Sequence, residues 1–385
     1  MSGRRLLVLC GAMFAVAPAL SWAAEDHAWL RSASVPPAAV TAALQRIVAL
    51  PPPDAAGEAR ALLAERDGFS AAGRSGADFL IAAALERGGD TAQAKTAYAS
   101  VVENSAGSDL AVSADVRLKL LDIPRDNVGA RETFFSALAN EPGRDGWFLV
   151  GDEWARTSSV RAALQEVVNL RSDRLSFRFF NFLRSWSTFP APYAYLFILL
   201  TLGIGVKVLA LPLQIRAAFQ AVRMERLRPE IQAIQMVHGT EPMEAQRQIY
   251  ALTQARGLSF APGCAVAVLD LIFVVWGLLT LRDYAPQMAL DGARFWSVAD
   301  VTKPSNLILV IWLGLSLFQG LSAGKLQGMN VGQSVAVGLF GGATFMGVAW
   351  YWDWPAYVLI FWGLLGLMGL LISLVLRALC RLGGA

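Results

Sequence analysis

Histidine is almost missing from this sequence: only His27 and His238 occur in 385 residues. A Ser-His catalytic pair or a His-built metal site needs imidazoles beside their partners, so both chemistries are nearly excluded. Cysteine is scarce too. Cys10, Cys264 and Cys380 each lie in or beside an apolar run, no CxxC pair exists, and nothing between residues 24 and 186 could form a disulfide. Charge is thin, with Asp, Glu, Lys and Arg at 16% of the chain where an average soluble protein has roughly 25%. A formal charge of +3 is too small a surplus for a nucleic-acid binder.

Apolar side chains fill the space that charge leaves, at 55% of the sequence, with 12 Trp and 20 Phe. This is the composition of a membrane protein, long enough for two or three domains. Residues 1–23 read as an export signal: Arg4 and Arg5 form the basic start, Leu6 to Leu20 the apolar stretch, and Ser21-Trp22-Ala23 a small-residue cleavage site. An uncleaved anchor is the alternative. Either way, the segment that follows is expected outside the cytoplasm.

Residues 24–171 change character. They are rich in Ala, Leu, Arg and Glu at helical spacing, with weak strand signals, and Pro51-Pro52-Pro53 separates two helical pieces. Leu85, Gly89, Asp90, Ala94 and Tyr98 resemble the turn and second helix of a tetratricopeptide repeat, and Ala130, Phe134, Ala137 and Pro142 repeat its closing half. Stacked helical hairpins of that kind present a concave surface to a protein partner; an alanine-rich helical bundle is the plainer alternative. Residues 172–189 turn amphipathic. Phe179, Phe182, Leu183 and Trp186 are expected on one face and Arg174, Arg178 and Arg184 on the other, which suits a helix lying in the membrane interface.

Five apolar spans follow, at about 193–213, 262–281, 305–321, 331–350 and 355–376, each near the roughly 20 residues a bilayer requires. The 214–257 loop carries six arginines and four acids, while 282–303 balances three of each sign. The more basic loop belongs inside, so the N-terminal domain is expected outside and the C-terminus inside. Gln214–Val237 and Pro242–Arg256 read as a helical hairpin in the inner loop. Trp350, Trp352 and Trp354 mark the outer interface.

The core resembles the YidC/Oxa family of membrane protein insertases over about residues 172–378. The order is similar: exported domain, interfacial helix, span, cytoplasmic hairpin, four more spans. So are Leu209-Ala210-Leu211-Pro212-Leu213, Leu227-Arg228-Pro229-Glu230-Ile231-Gln232, Gly263-Cys264 and Trp354-Pro355-Ala356. Ser259-Phe260 and Ala265-Val266 depart from the family pattern, and the helical N-terminal domain departs from the large β-sandwich of the best-known bacterial form. The resemblance implies a multi-pass protein of the bacterial inner membrane that is not an enzyme and uses no cofactor. It would help nascent membrane proteins into the lipid bilayer through a hydrophilic groove open to the cytoplasm, with the Sec translocon and the ribosome as further candidate partners. The expected fold class is all-α: a five-helix core (190–378) with the hairpin 214–257, a short tail (379–385) and the exported helical domain.

The same resemblance places a positive groove residue at Lys207, where the family has arginine, and a polar residue at Asp270, where glutamine is usual. Lys207 lies six residues before Leu213, about 9 Å of helix, and Asp270 eight residues after Pro262, about 12 Å. The two could pair across the groove, or Asp270 could stay protonated, or bond a neighbouring hydroxyl or amide. A snorkelling Lys207 is the plainer reading. Gln319 and Ser334 would add neutral hydrogen-bonding groups. Arg223, Arg226, Arg228, Glu230 and Arg247 are the hairpin residues expected to meet a partner. Gly338 and Gly342 read as a close-packing pair. A non-insertase scaffold, whose exported domain binds a protein partner, is the competing function; a membrane-embedded protease lacks histidine within its spans.

Overall fold

The computed structural model describes residues 27–238, 241–258, 261–295, 298–327 and 331–382. The proposed export signal lies outside them. The chain divides into two compact units, one up to Leu170 and one from Arg171.

Unit 1 is mostly helical: α1 (Pro37–Ala49), α2 (Pro52–Glu65), α3 (Ala71–Gly88), α4 (Thr91–Asn104), α5 (Asp109–Leu121) and α6 (Val128–Ala139) precede β1 (Asp145–Val150) and β2 (Glu153–Ser158). Helix α7 (Ser159–Arg171) ends it. Local chemistry sets the boundaries. Pro51-Pro52-Pro53 separates α1 from α2 and opens the latter, where a missing N–H is no loss. Side-chain oxygens of Ser70, Asp90, Ser108 and Asn127 each accept the backbone N–H three residues on, at 2.9–3.1 Å, capping α3 to α6 in turn. Consecutive helices from α2 to α5 pack against one another. Of the repeat-like residues, Ala94 and Tyr98 are fully buried, whereas Phe134 is half-buried and Ala137 exposed.

The β-hairpin departs from the all-helical expectation. Val150 pairs with Glu153 across a two-residue tip, and Gly151 takes φ 62° there, a conformation glycine adopts without a Cβ penalty. Adjacent strand residues point to opposite faces, so Trp147 enters the cluster of Leu44, Leu80 and Tyr98 while Phe148 enters that of Leu120, Phe135 and Val167. The hairpin thereby adds a second link between two hydrophobic clusters that α5 also bridges, through Leu110 and Ala114 on one side and Val116 and Leu120 on the other.

Unit 2 begins with α8 (Leu175–Ser185), continues with α9 (Ala191–Val237) and α10 (Pro242–Ala255), and ends with α11 (Ala261–Leu290), α12 (Asn306–Gln327), α13 (Val331–Tyr351) and α14 (Ala356–Leu382). Among the described residues, three helices are long and apolar enough to cross a membrane: Tyr193–Val237, Val331–Tyr351 and Ala356–Leu376. The apolar stretch Asn306–Phe318 is shorter. Polarity is inverted here: Leu200, Ile204, Val208 and Leu209 of α9 are exposed while Lys207 is buried, the arrangement that lipid demands and water would oppose. Helix α9 runs unbroken through Pro212 and Pro229, so the hairpin's first helix is the continuation of the span and not a new helix from Gln214.

Helix α8 keeps only part of its expected interfacial face outward. Phe177, Phe180 and Leu183 are buried, while Phe182 and Trp186 are more than half exposed. Tyr284 of α11 decides this, with Phe177 and Phe180 ring centroids 4.8 and 5.3 Å from its own. Arg184 also differs from expectation: it turns inward to Asp291 at 2.8 Å.

Candidate functional site

Lys207 is 6% exposed on α9, a degree of burial at which an ionised side chain must be compensated by its surroundings. Helix α9 packs along α14 and α11, and Gly203 and Gly369 lie in its seam with α14. A methyl group on Gly203, one turn before Lys207, would sit 3.5 Å from the Met368 sulfur. One on Gly369 would sit 3.3 Å from Lys207 Nζ and 3.7 Å from Cε. The end of the lysine chain thus lies over a stretch of α14 backbone that carries no side chain. Lysine reaches there as a compact ammonium, for which the missing Cβ leaves room.

Ser334 is 2% exposed on α13, in the seam with α12. That seam is tight: a Cβ on Gly320 would stand 2.5 Å from Gly338 Cα, and one on Gly342 would stand 2.9 Å from Ser316 Cβ. Close packing therefore accounts for Gly338 and Gly342. Asp270 lies on α11 and Gln319 on α12, but their side chains fall outside the described residues. Three polar groups of unit 2 escaped the sequence reading: Gln214 Oε1, Trp312 Nε1 and Ser316 Oγ are buried with no hydrogen-bond partner among the described residues. Gln214 is seven positions after Lys207, two turns on and on the same face of α9; that spacing was the available signal.

The hairpin residues form a mostly exposed, basic surface. Arg223, Arg226, Glu230 and Arg247 are exposed and Arg228 is half-buried. Arg256 of the α10 end meets Glu230 at 3.4 Å, and Arg247 stands 3.8 Å from Glu244. Val222, Leu227 and Ala245 are buried beneath them.

A polar clamp fixes α8 against α11 and the start of α9. Arg174 Nη1 is 2.8 Å from Asp283 Oδ1, and Ser176 donates to Oδ2 of the same carboxylate at 2.8 Å. Arg171 donates to the Arg282 and Asp283 carbonyls at 3.0 and 3.1 Å. Asp291 gathers Arg184, Gln287 and the Tyr195 hydroxyl, and Tyr284 donates to Asn181 at 2.6 Å. The loop after α11 is tied down as well, with Ala356 and Tyr357 N–H donating to Lys303 and Val301 carbonyls at 2.9 Å. Among the described residues, no group of three or more His, Cys, Asp or Glu side chains could hold a metal ion.

The family model of the 60Kd inner membrane protein matches residues 187–379, half of the chain and nearly all of unit 2. No curated protein matches the sequence.

Proposed function

Because the chain belongs to the 60Kd inner membrane protein family, the YidC/Oxa membrane insertases, we propose that it carries out insertion through a groove organised around Lys207. Such a protein breaks no bond. It lowers the free energy of moving polar segments through about 30 Å of hydrocarbon. The observation that carries the proposal is the burial of Lys207 between apolar helices, its ammonium end resting over Gly369. A cation in a low-dielectric seam attracts an acidic or polar segment far more strongly than one in water, and the apolar remainder of that segment then partitions into lipid. Ser334 and Gln214 are assigned as neutral partners for backbone groups passing through; Asp270 and Gln319 are assigned to the same groove from the sequence.

In this reading α9, α11, α12, α13 and α14 are the five spans, and α8 rests in the interface with Phe182 and Trp186 toward lipid. The hairpin α9–α10 reaches into the cytoplasm, offering Arg223, Arg226, Arg228 and Arg247 to nascent chains, the ribosome or the Sec translocon. Unit 1 lies on the periplasmic side as a repeat-like module that binds a protein. Complementation of a conditional insertase-depletion strain tests the proposal. Wild type and Lys207→Arg should restore growth and Lys207→Ala should not. Rescue by all three would remove the charge from the mechanism. No rescue by well-expressed, correctly inserted wild type would favour a scaffold built on the same core.

A further inference from the structure

Unit 1 holds a cleft that the insertase activity leaves unused. It has a volume of about 520 Å³ and opens between α3, α5, α6 and the tip of the β-hairpin, within the roughly 300–1,000 Å³ of ligand-binding pockets. Four arginines line it, Arg87, Arg117, Arg125 and Arg131, against two acids, Glu86 and Asp152. They are not equivalent. Arg117 is 8% exposed and forked onto Glu86, with Tyr98 donating to the same carboxylate at 3.1 Å. That pair is a neutral, rigid wall. Burial and the adjacent Glu86 charge push the Tyr98 hydroxyl well above its usual range, so it stays a donor.

The other three arginines face a single acid, Asp152. Arg87 uses one N–H on the Leu50 carbonyl at 3.2 Å. Arg125 is exposed on the α5–α6 loop. Arg131 is half-buried, and its Nε is buried with no hydrogen-bond partner among the described residues. A buried donor without an acceptor is uncommon in folded proteins, and the residue that carries it lines a cleft of positive balance. Beside the guanidinium groups, Ile47, Leu120 and Trp154 form apolar walls. Planar guanidinium forks match carboxylates in pairs of hydrogen bonds, while apolar walls favour side chains over a bare inorganic anion.

We infer that this cleft binds a short peptide segment carrying carboxylates next to apolar side chains, held by Arg125 and Arg131 and seated against Trp154. The inference rests on the reading of unit 1 as a protein-binding module and names where and by what chemistry it binds. The full-length protein in detergent micelles, titrated against a fluorescein-labelled octapeptide of alternating leucine and glutamate, tests it by anisotropy. Saturable binding is expected, weakening as salt rises, at least about tenfold weaker for Arg125→Gln/Arg131→Gln and lost for a peptide with glutamine in place of glutamate. Arg125→Gln alone changes only an exposed residue and should weaken binding in the same direction without affecting folding. Equal binding of the glutamine peptide, unchanged affinity in both variants, or complete displacement by millimolar inorganic phosphate would each overturn the inference. Failure of the wider reading is separable: photo-crosslinking from unit 1 in cells would then capture no protein at all, whatever the peptide does.

Discussion

Gly369 sets the space around the Lys207 ammonium, because any side chain there grows toward Nζ. A methyl group would stand 3.3 Å away, and the end of a flexible lysine chain can yield by that little. Gly369→Ala should therefore retain rescue of insertase depletion, and Gly369→Leu should lose it at unchanged protein level; equal rescue by both would mean the lysine end does not matter. Tyr98 makes a second residue-scale prediction, this time about stability. Its hydroxyl is raised in the folded protein by burial and by Glu86, whereas in the unfolded chain it titrates near about 10. Below that pH both states keep the proton and the contribution is complete; above it only the unfolded state releases the proton, so stability falls with rising pH. Urea midpoints of unit 1 should drop beyond pH about 10, and Tyr98→Phe should flatten that part of the drop.

At the scale of elements, α8 shows why composition alone did not reveal its packing. Phe177, Phe179, Phe180 and Phe182 surround most of the helix, so apolar periodicity permits more than one buried face, and a partner outside the helix chooses. Tyr284 and Asp291 make that choice. Replacing Asp291 with alanine strands Arg184 and the Tyr195 hydroxyl at once, a loss of about 1–3 kcal/mol for a partly buried network. Hydrogen exchange should then rise across residues 175–185 and stay unchanged in unit 1; protection unchanged in α8 would show that its aromatic contacts suffice. The β-hairpin was legible in principle, since Gly151-Asp152 lies between Trp147–Val150 and the strand of Trp154, a two-residue turn flanked by alternating residues. The helical segments on both sides outweighed it. Caps and prolines, by contrast, act within a few residues, and Pro51–Pro53, Gly89 and Asp90 marked helix ends in the sequence as they do in the fold.

For the whole molecule, the inner-membrane insertase family was readable because its order of spans, hairpin and proline positions is a long-range pattern carried by many weak signals. Lys207 came with it, as a charge in an apolar run. Its setting did not: Gly203 and Gly369 lie on different helices, and a glycine in an apolar helix does not announce which side chain it makes room for. Gln214 is not marked in the sequence because it follows the last apolar residue of the span, although the helix does not end there.

That continuity has a mechanical side. Helix α9 spans 47 residues, about 70 Å at 1.5 Å per residue, so roughly half of it extends past a hydrocarbon layer of about 30 Å. The span and the first helix of the hairpin are one beam, without a joint between them. Force applied to the arginine-bearing end is delivered to the segment holding Lys207, and the beam is softest at Pro212 and Pro229, where backbone hydrogen bonds are missing. Bending at the hairpin end of α9 and bending beside the buried Lys207 are thereby parts of one elastic response.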